Sequence, residues 1–421
     1  MPSKVGPSPE PVRDQSPCRF CDAPLSETFV DLGAMPPANN YLRTPDLVRP
    51  EPFYPLHAYV CSKCRLVQLE EIQSPEQLFS DYAYFSSFSK SWLDHMKKYA
   101  EDMIERFGLD TSSQVLEIAS NDGYLLQYFK KRRVPVLGIE PAANIARAAK
   151  VRGIPTLVEF FGVDLAERLV REDSQADLLI GNNVLAHVPD INDFVAGLQI
   201  ILKADGVLTM EFPHLLRLIT LNQFDTIYHE HYSYLSFLTV EKIFAKHGIA
   251  LVDVEELPTH GGSLRIFGRH KGSEDVSDNV LAMREKETQA GLNKISTYKG
   301  FAQRVMKTKR DLLRFLIGVN EEGKSIVGYG APAKGNTLLN YCGVRNDFLE
   351  YTVDLSPHKQ GLFLPGSRIP VYAPEAIFET KPDYLLILPW NLQDEIIDQM
   401  AAIRDWGGKF VIPIPEVRVV D

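Results

Sequence analysis

The densest group of side chains able to move protons is the run Tyr228-His-Glu-His-Tyr-Ser-Tyr234, preceded by Phe224-Asp-Thr-Ile. An imidazole titrates near neutrality, and a neighbouring carboxylate and phenols can orient it or share charge with a substrate. On the residues alone three readings stay open: a general base, a surface loop of satisfied polar groups, or a metal site built on His229 and His231. Four of the five cysteines form two Cys-x-x-Cys pairs, Cys18 with Cys21 and Cys61 with Cys64. Each such turn presents two thiolates to one tetrahedral ion, so the two together close a four-sulfur structural zinc site with no open catalytic position. Disulfides are disfavoured in a reducing compartment, and a redox motif would explain only one of the pairs. The metal is expected to hold together a small domain that lacks its own core. Cys342 lies in an apolar run and reads as a buried small residue.

A second kind of chemistry is written at Glu117-Ile-Ala-Ser-Asn-Asp-Gly123. This segment joins a strand to a helix, where an open α/β sheet binds its ligand, and small residues there let backbone amides come close. The dinucleotide fingerprint Gly-x-Gly-x-x-Gly is absent from it. Glu140 ends the next strand, where a carboxylate can accept both ribose hydroxyls. The pair Phe160-Phe161 reads equally well as a flank for an adenine or as core. Further along, Gly328-Tyr-Gly-Ala-Pro-Ala-Lys-Gly335 forms a small-residue turn suited to amides approaching a phosphate, with Lys334 as counter-charge. It is not a P-loop, because Lys334 is followed by Gly335, and a plain structural turn is the competing reading.

The elements that must position these groups follow from apolar patterning. Gln114 to Ala119 and Val134 to Ile139 read as strands, and Tyr124 to Arg132 and Ala142 to Arg152 as helices. Such alternation implies a parallel sheet with helices on its faces. Ala176 to Ile180 and Val207 to Phe212 supply later strands around a helix from Asn192 to Leu202. Thr239 looks like the N-cap of a helix ending at Gly248. Ala250 to Glu256 and Ser263 to Gly268 are expected to finish the sheet as an antiparallel pair. Residues 274–319 are charged and helical in pattern, after which Lys324 to Gly330, Tyr384 to Leu388 and Lys409 to Ile412 mark a further α/β unit. The expected organisation is a disordered tail at 1–17, a zinc domain at 18–75 and a sheet domain at 76–270. A helical connector at 271–319 and a second α/β domain at 320–421 complete it.

Composition limits the partners. The 421 residues, 45% hydrophobic and 24% charged, suit two or three globular domains. The formal net charge of -10 excludes a general polyanion binder, so nucleic acid is not expected. The basic run from Lys130 to Arg133 reads as a solvated helix end. No apolar stretch approaches the ~18 residues of a membrane span, and the proline- and serine-rich start has no hydrophobic core for secretion. A cytoplasmic protein without a membrane partner or an obligate protein partner is expected.

In combination, several motifs resemble the sugar C-methyltransferases that act on thymidine-diphosphate-linked 4-keto-deoxysugars. They are the double Cys-x-x-Cys head, Tyr84-Phe-Ser-Ser, Ser120-Asn-Asp-Gly123, Asn183-Val-Leu-Ala-His187, Tyr228-His-Glu-His231, His260-Gly-Gly262 and Tyr329-Gly-Ala-Pro-Ala-Lys334. The resemblance covers nearly the whole chain. It implies a class I methyltransferase doubly wound sheet, preceded by a small four-cysteine zinc domain and followed by a second, Rossmann-like α/β domain that binds the nucleotide sugar. It also implies S-adenosylmethionine and structural zinc as cofactors. By resemblance His231 is the general base, and Tyr84, Asn183, His187, Tyr228 and Glu230 line the reacting sugar. Glu117, Ala119, Ser120, Asn121, Gly123, Glu140, Pro141, Phe161 and Asn183 fall to the cofactor. Ala119 departs from the family's usual glycine and crowds that turn. Glu211, His260, Gly262, Tyr329, Gly330, Ala331 and Lys334 fall to the substrate, with Asp354, Lys359, Trp390 and Asn391 on nearby strand ends. The implied reaction is methylation, at the third carbon, of a thymidine-, cytidine- or guanosine-diphosphate keto sugar. The alternatives are an O- or N-methyltransferase of a small molecule, or a non-catalytic adaptor that senses S-adenosylmethionine.

Overall fold

The computed structural model describes residues 16–75, 87, 90–272 and 276–421. The N-terminal part folds as β1 (Glu27–Met35), β2 (Tyr54–Val60) and β3 (Val67–Leu69), paired antiparallel. Leu56, Ala58 and Val60 alternate along β2 as fully buried positions, so one face of this small sheet must be covered. The covering element is the long helix Phe301–Glu321, on which Phe29 stacks against Phe301 with ring centroids 4.4 Å apart. The sheet's buried residues are continuous with those of the C-terminal domain. The unit thus has no core of its own and shares that of the C-terminal domain. Three short strands cannot form a core alone, but one apolar face laid on a helix suffices.

The middle of the chain supplies β4 (Val115–Ile118), β5 (Val136–Ile139), β6 (Thr156–Leu157), β7 (Ala176–Asn182) and β8 (Leu202–Pro213). Then come β9 (Ser233–Tyr234), β10 (Ile249–Leu257) and β11 (Ser263–His270). Seven of these eight strands make a sheet in the order β10-β11-β8-β7-β4-β5-β6. All its pairings are parallel except those of β11, which runs antiparallel to both β8 and β10. This is a doubly wound sheet, as the resemblance implied. Its order reverses between β4 and β7, which opens the crevice at their carboxyl ends. The exception, β9, leaves this sheet and pairs with β3.

The helix Phe237–Lys246 is capped by Ser236, whose Oγ accepts the Thr239 N–H, and not by Thr239 as the sequence suggested. The two amides before that, Phe237 and Leu238, donate to the buried Glu287 carboxylate at 2.7 and 2.9 Å. Glu287 sits on the connector helix Asp278–Gln289, so the connector finishes a helix end that local sequence leaves open.

The C-terminal strands are β12 (Ile326–Tyr329), β13 (Thr352–Val353), β14 (Val371–Tyr372), β15 (Tyr384–Ile387), β16 (Lys409–Ile412) and β17 (Arg418–Val420). Their order is β14-β13-β12-β15-β16-β17, parallel but for β17. The reversal lies between β12 and β15, beside the turn at Gly330. Among the described residues no helix is long and apolar enough to cross a membrane.

Candidate active site and metal centre

The Sγ atoms of Cys18, Cys21, Cys61 and Cys64 all lie within 4.8 Å of one another, and none forms a disulfide. Cys18 to Cys64 and Cys21 to Cys61 are each 3.6 Å apart. Zinc bonded to sulfur at about 2.3 Å places the corners of its tetrahedron roughly 3.8 Å apart, so the cluster fits that ion. The Lys63 and Cys64 amides point at Cys61 Sγ and Gln68 Nε2 points at Cys18 Sγ, an arrangement that suits thiolates. Among the described residues this is the one group of metal-ligating side chains close enough to hold an ion. A metal site on His229 and His231 is therefore not formed. His229 Nε2 instead turns to the backbone oxygens of Pro55 and Tyr54, at 3.2 and 3.4 Å.

At the carboxyl ends of β4 and β5 the chain bends through left-handed backbone at Ala119, Asn121 and Gly123, with φ of 55, 48 and 76°. Only the glycine takes such angles without strain. At Gly123 a Cβ would also stand 2.8 Å from Ile154. Ser120 packs beneath Gly138, where a Cβ would collide with its Oγ. Glu140 accepts the Asn121 amide at 3.0 Å and the Ala142 amide at 2.9 Å, which brings Pro141 and the turn to the same edge. Burial raises the Glu140 carboxyl, against those two amides. Both oxygens of Glu117 are buried, and Tyr124 is the donor that faces this carboxyl among the described residues. Burial lifts this carboxyl well above its usual range, and Tyr124 only partly offsets it. A carboxyl buried in this way could meet a cationic or N–H-bearing ligand group at the crevice. Phe161 packs edge-on against Phe194 at 5.5 Å while Phe160 is exposed, so the two do not act as a pair.

The Tyr228 to Tyr234 segment follows β8 and forms a tight turn in which the His231 N–H donates to Tyr228 O at 2.9 Å. His231 Nδ1 lies 2.9 Å from Thr226 O. A carbonyl oxygen can only accept, so Nδ1 carries the proton and Nε2 keeps the basic lone pair. His187 Nδ1 faces Glu230 O at 2.8 Å under the same constraint. The His231 ring is 4.7 Å from that of His187 and 4.0 Å from that of Tyr228. Burial, together with His187, His260 and Lys334, holds the His231 imidazole well below its ordinary range, with Thr226 O opposing. His187 and His260 are each pushed down to about 4, mainly by burial. All three rings are thus neutral at physiological pH.

Around this core stand the other residues singled out in the sequence. Asn183, at the end of β7 with φ 55°, donates its amide to His260 Nε2 at 3.3 Å. His260 itself has φ 55° and leads into Gly262, where a Cβ would meet Arg217 at 2.7 Å. Glu211 is buried and committed: Arg265 donates to it at 2.9 and 2.6 Å, and His95 at 3.2 Å. Burial works to raise this carboxyl, but His95 and Arg265 outweigh it and hold it low. Both of its oxygens are thus engaged by the protein's own donors. Tyr84 lies outside the described residues.

The C-terminal domain closes the far side. Lys334 donates to Asn391 at 2.7 Å and lies 4.7 Å over the Trp390 ring, while Trp390 Nε1 donates to Asp225 at 2.7 Å. Asp225 immediately precedes Thr226, which holds His231. Burial raises the Asp225 carboxyl to about 6, with Lys334 opposing. Gly330, at φ 90°, has Pro389 where its Cβ would be, only 2.5 Å away. The Gly330 amide bonds Val353 O at 2.6 Å and the Ala331 amide bonds Asp354 at 2.7 Å. Two of the turn's amides, Gly330 and Ala331, are thus engaged within the domain. The turn leads into the first turn of the helix Ala333–Cys342, which carries Lys334, and Lys359 Nζ donates to Ala331 O at 2.8 Å. Tyr329 points elsewhere, donating to Gln399 at 2.6 Å.

Three family models match the chain: a zinc binding domain over residues 18–79, a methyltransferase domain over 92–254 and a C-methyltransferase C-terminal domain over 258–415. The C-methyltransferase NovU of Streptomyces niveus is 37% identical over 410 residues, covering 97% of this chain and 98% of its own. Among solved structures, magnesium protoporphyrin IX methyltransferase from Synechocystis PCC 6803 with bound SAM is 12% identical and has a TM-score of 0.33. The match covers 42% of this chain and 79% of that one. A S-adenosylmethionine-dependent methyltransferase from Clostridium acetobutylicum ATCC 824 is 10% identical, with a TM-score of 0.35 over 43% of this chain and 92% of that one.

Proposed function

The chain belongs to the C-methyltransferase family, and from that premise we propose that its substrate is a nucleotide-diphosphate 4-keto-deoxysugar, methylated at the third carbon. The observation that carries this reading is the state of His231. Its tautomer is set by Thr226 O at 2.9 Å, its ring is neutral because it is buried, and its basic nitrogen is Nε2. A neutral imidazole in a water-poor pocket suits the removal of a proton from carbon, which an O- or N-methyltransferase does not need.

A hydrogen beside a ketone is acidic enough for imidazole only if the developing enolate oxygen is stabilised. Tyr228, whose ring flanks His231 at 4.0 Å, is the group placed to do so, since a fixed donor is most effective where charge appears. S-adenosylmethionine, when bound, supplies the electrophilic methyl group. Glu117 and Glu140 hold its polar ends, the first by its buried carboxyl and the second toward the ribose. Lys334 and Lys359 compensate the diphosphate, and Trp390 and Asn391 wall the nucleotide side. The proton moves to His231 Nε2 and leaves from there to solvent once the product departs.

The test is a turnover screen of thymidine-, cytidine- and guanosine-diphosphate 4-keto sugars, with mass detection of methyl gain and identification of the carbon that bears it. Methylation on oxygen or nitrogen only would refute the reading.

A further inference from the structure

The zinc domain grips the segment that carries the base, residue by residue. His229 Nε2 donates to Pro55 O at 3.2 Å. Tyr232 O accepts the Leu69 amide at 3.0 Å, while the Tyr232 hydroxyl donates to Gln73 O at 2.9 Å and its ring lies under the Arg19 guanidinium. Ser233 and Tyr234 form β9 on the edge of β3. Between these anchors, Asn39 Nδ2 donates to both oxygens of Glu230, at 2.8 and 2.9 Å. Asn39 belongs to a loop, residues 36–42, that also reaches the C-terminal domain. There Ala38 O accepts Asn336 Nδ2 at 2.6 Å, Tyr41 donates to Ala331 O, and Leu42 exchanges backbone hydrogen bonds with Phe363.

We propose that Asn39 is a positioning residue that orients the Glu230 carboxylate beside His231, making the zinc domain a working part of the active site. The geometry is specific. Glu230 is buried, and a buried carboxylate turns toward whichever donors it is offered. Glu230 and His231 lie in one turn, closed by the His231 N–H donating to Tyr228 O at 2.9 Å, and the Glu230 backbone oxygen holds His187 beside the His231 ring, so the direction of the Glu230 side chain bears on both rings. The metal is held by Cys18, Cys21, Cys61 and Cys64, none of them in this loop, so the effect is separable from metal binding. The inference rests on the reading that residues 228–231 meet the substrate.

The test compares N39A and N39D in full-length protein loaded with zinc. Asp has the shape of Asn but offers no donor, so a packing role predicts that N39D behaves like the parent. A positioning role predicts the reverse at pH 8. In N39A, kcat falls about 10- to 100-fold, the worth of a hydrogen bond to a charged group, and in N39D it falls further because two carboxylates oppose each other. KM for the sugar, zinc content and S-adenosylmethionine affinity stay within about twofold in both. Crystal structures of the two variants give a second readout that needs no substrate: Glu230 should leave its parental orientation. N39D at the parental kcat, or Glu230 unmoved in both variants, overturns the proposal. If instead the parent turns over none of the keto sugars, the substrate reading fails, and the position of Glu230 in the variants still decides the role of Asn39.

Discussion

Replacing His231 by alanine removes the ring whose Nδ1 proton is held by Thr226 O and whose Nε2 therefore keeps the basic lone pair. Nothing beside it is an adequate substitute. The ring of His187 is 4.7 Å away and is held there by its Nδ1 hydrogen bond to Glu230 O, so it does not move into the space His231 leaves. Tyr228 is a phenol, far too weak a base at neutral pH. The expected loss is therefore that of a general base, about 10²- to 10⁴-fold, or roughly 3–5 kcal/mol of barrier. The assay is deuterium exchange of the carbon acid in heavy water without S-adenosylmethionine, run beside methyl transfer, and both rates should fall by a similar factor. A pH arm sharpens the test. Because burial holds His231 well below 6.5, the imidazole is already neutral at pH 6.5, and kcat/KM should be flat above that value and fall only below it. Parental exchange by a correctly folded H231A, or a tenfold rise of the parent's kcat/KM between pH 6.5 and 8, would refute the reasoning.

Other expectations can be checked with the same protein. His187 and His260 have folded pKa values of about 4 against an ordinary 6.5. Their lowered values contribute stability that is present above 6.5 and lost as pH falls toward 4, roughly 3 kcal/mol each. Urea midpoints should drop between pH 7.5 and 5, and less steeply in H260N. Replacing Glu140 by alanine removes the acceptor of the Asn121 and Ala142 amides. Calorimetry should then show S-adenosylmethionine binding about 10- to 100-fold weaker, with zinc content unchanged. Stripping the zinc should abolish carbon-acid exchange while leaving S-adenosylmethionine affinity within about twofold, because the turn at Ala119 to Gly123 is held by β4, β5 and Glu140; persistent exchange in the stripped protein would contradict the coupling. Truncating Phe301 to alanine opens a void beneath Phe29 in a shared core, at about 3–5 kcal/mol, and thermal unfolding should show it.

What the amino-acid sequence determined alone is the local chemistry. Two Cys-x-x-Cys turns define a tetrahedral sulfur site wherever they fold, since each turn places its own pair. The strand-to-helix turn at Ala119 to Gly123 and the strand-ending Glu140 are likewise legible, because a parallel sheet brings consecutive strand ends to one edge. The antiparallel pair β10 and β11 could be read from alternation and a short connection. The tertiary structure alone decided what lies far apart in the chain. Asn39 reaches Glu230 across 191 residues, and Trp390 reaches Asp225 across 165. No periodicity encodes such contacts, because a side-chain hydrogen bond depends on where two elements dock. The cap at Ser236 was misassigned to Thr239 for the same reason: two of that helix's first amides are satisfied by Glu287, 50 and 49 residues away. Glu211 and the Gly330 turn show the same. Their chemistry was legible, but their partners Arg265, His95, Val353 and Asp354 were not, because other elements bring them.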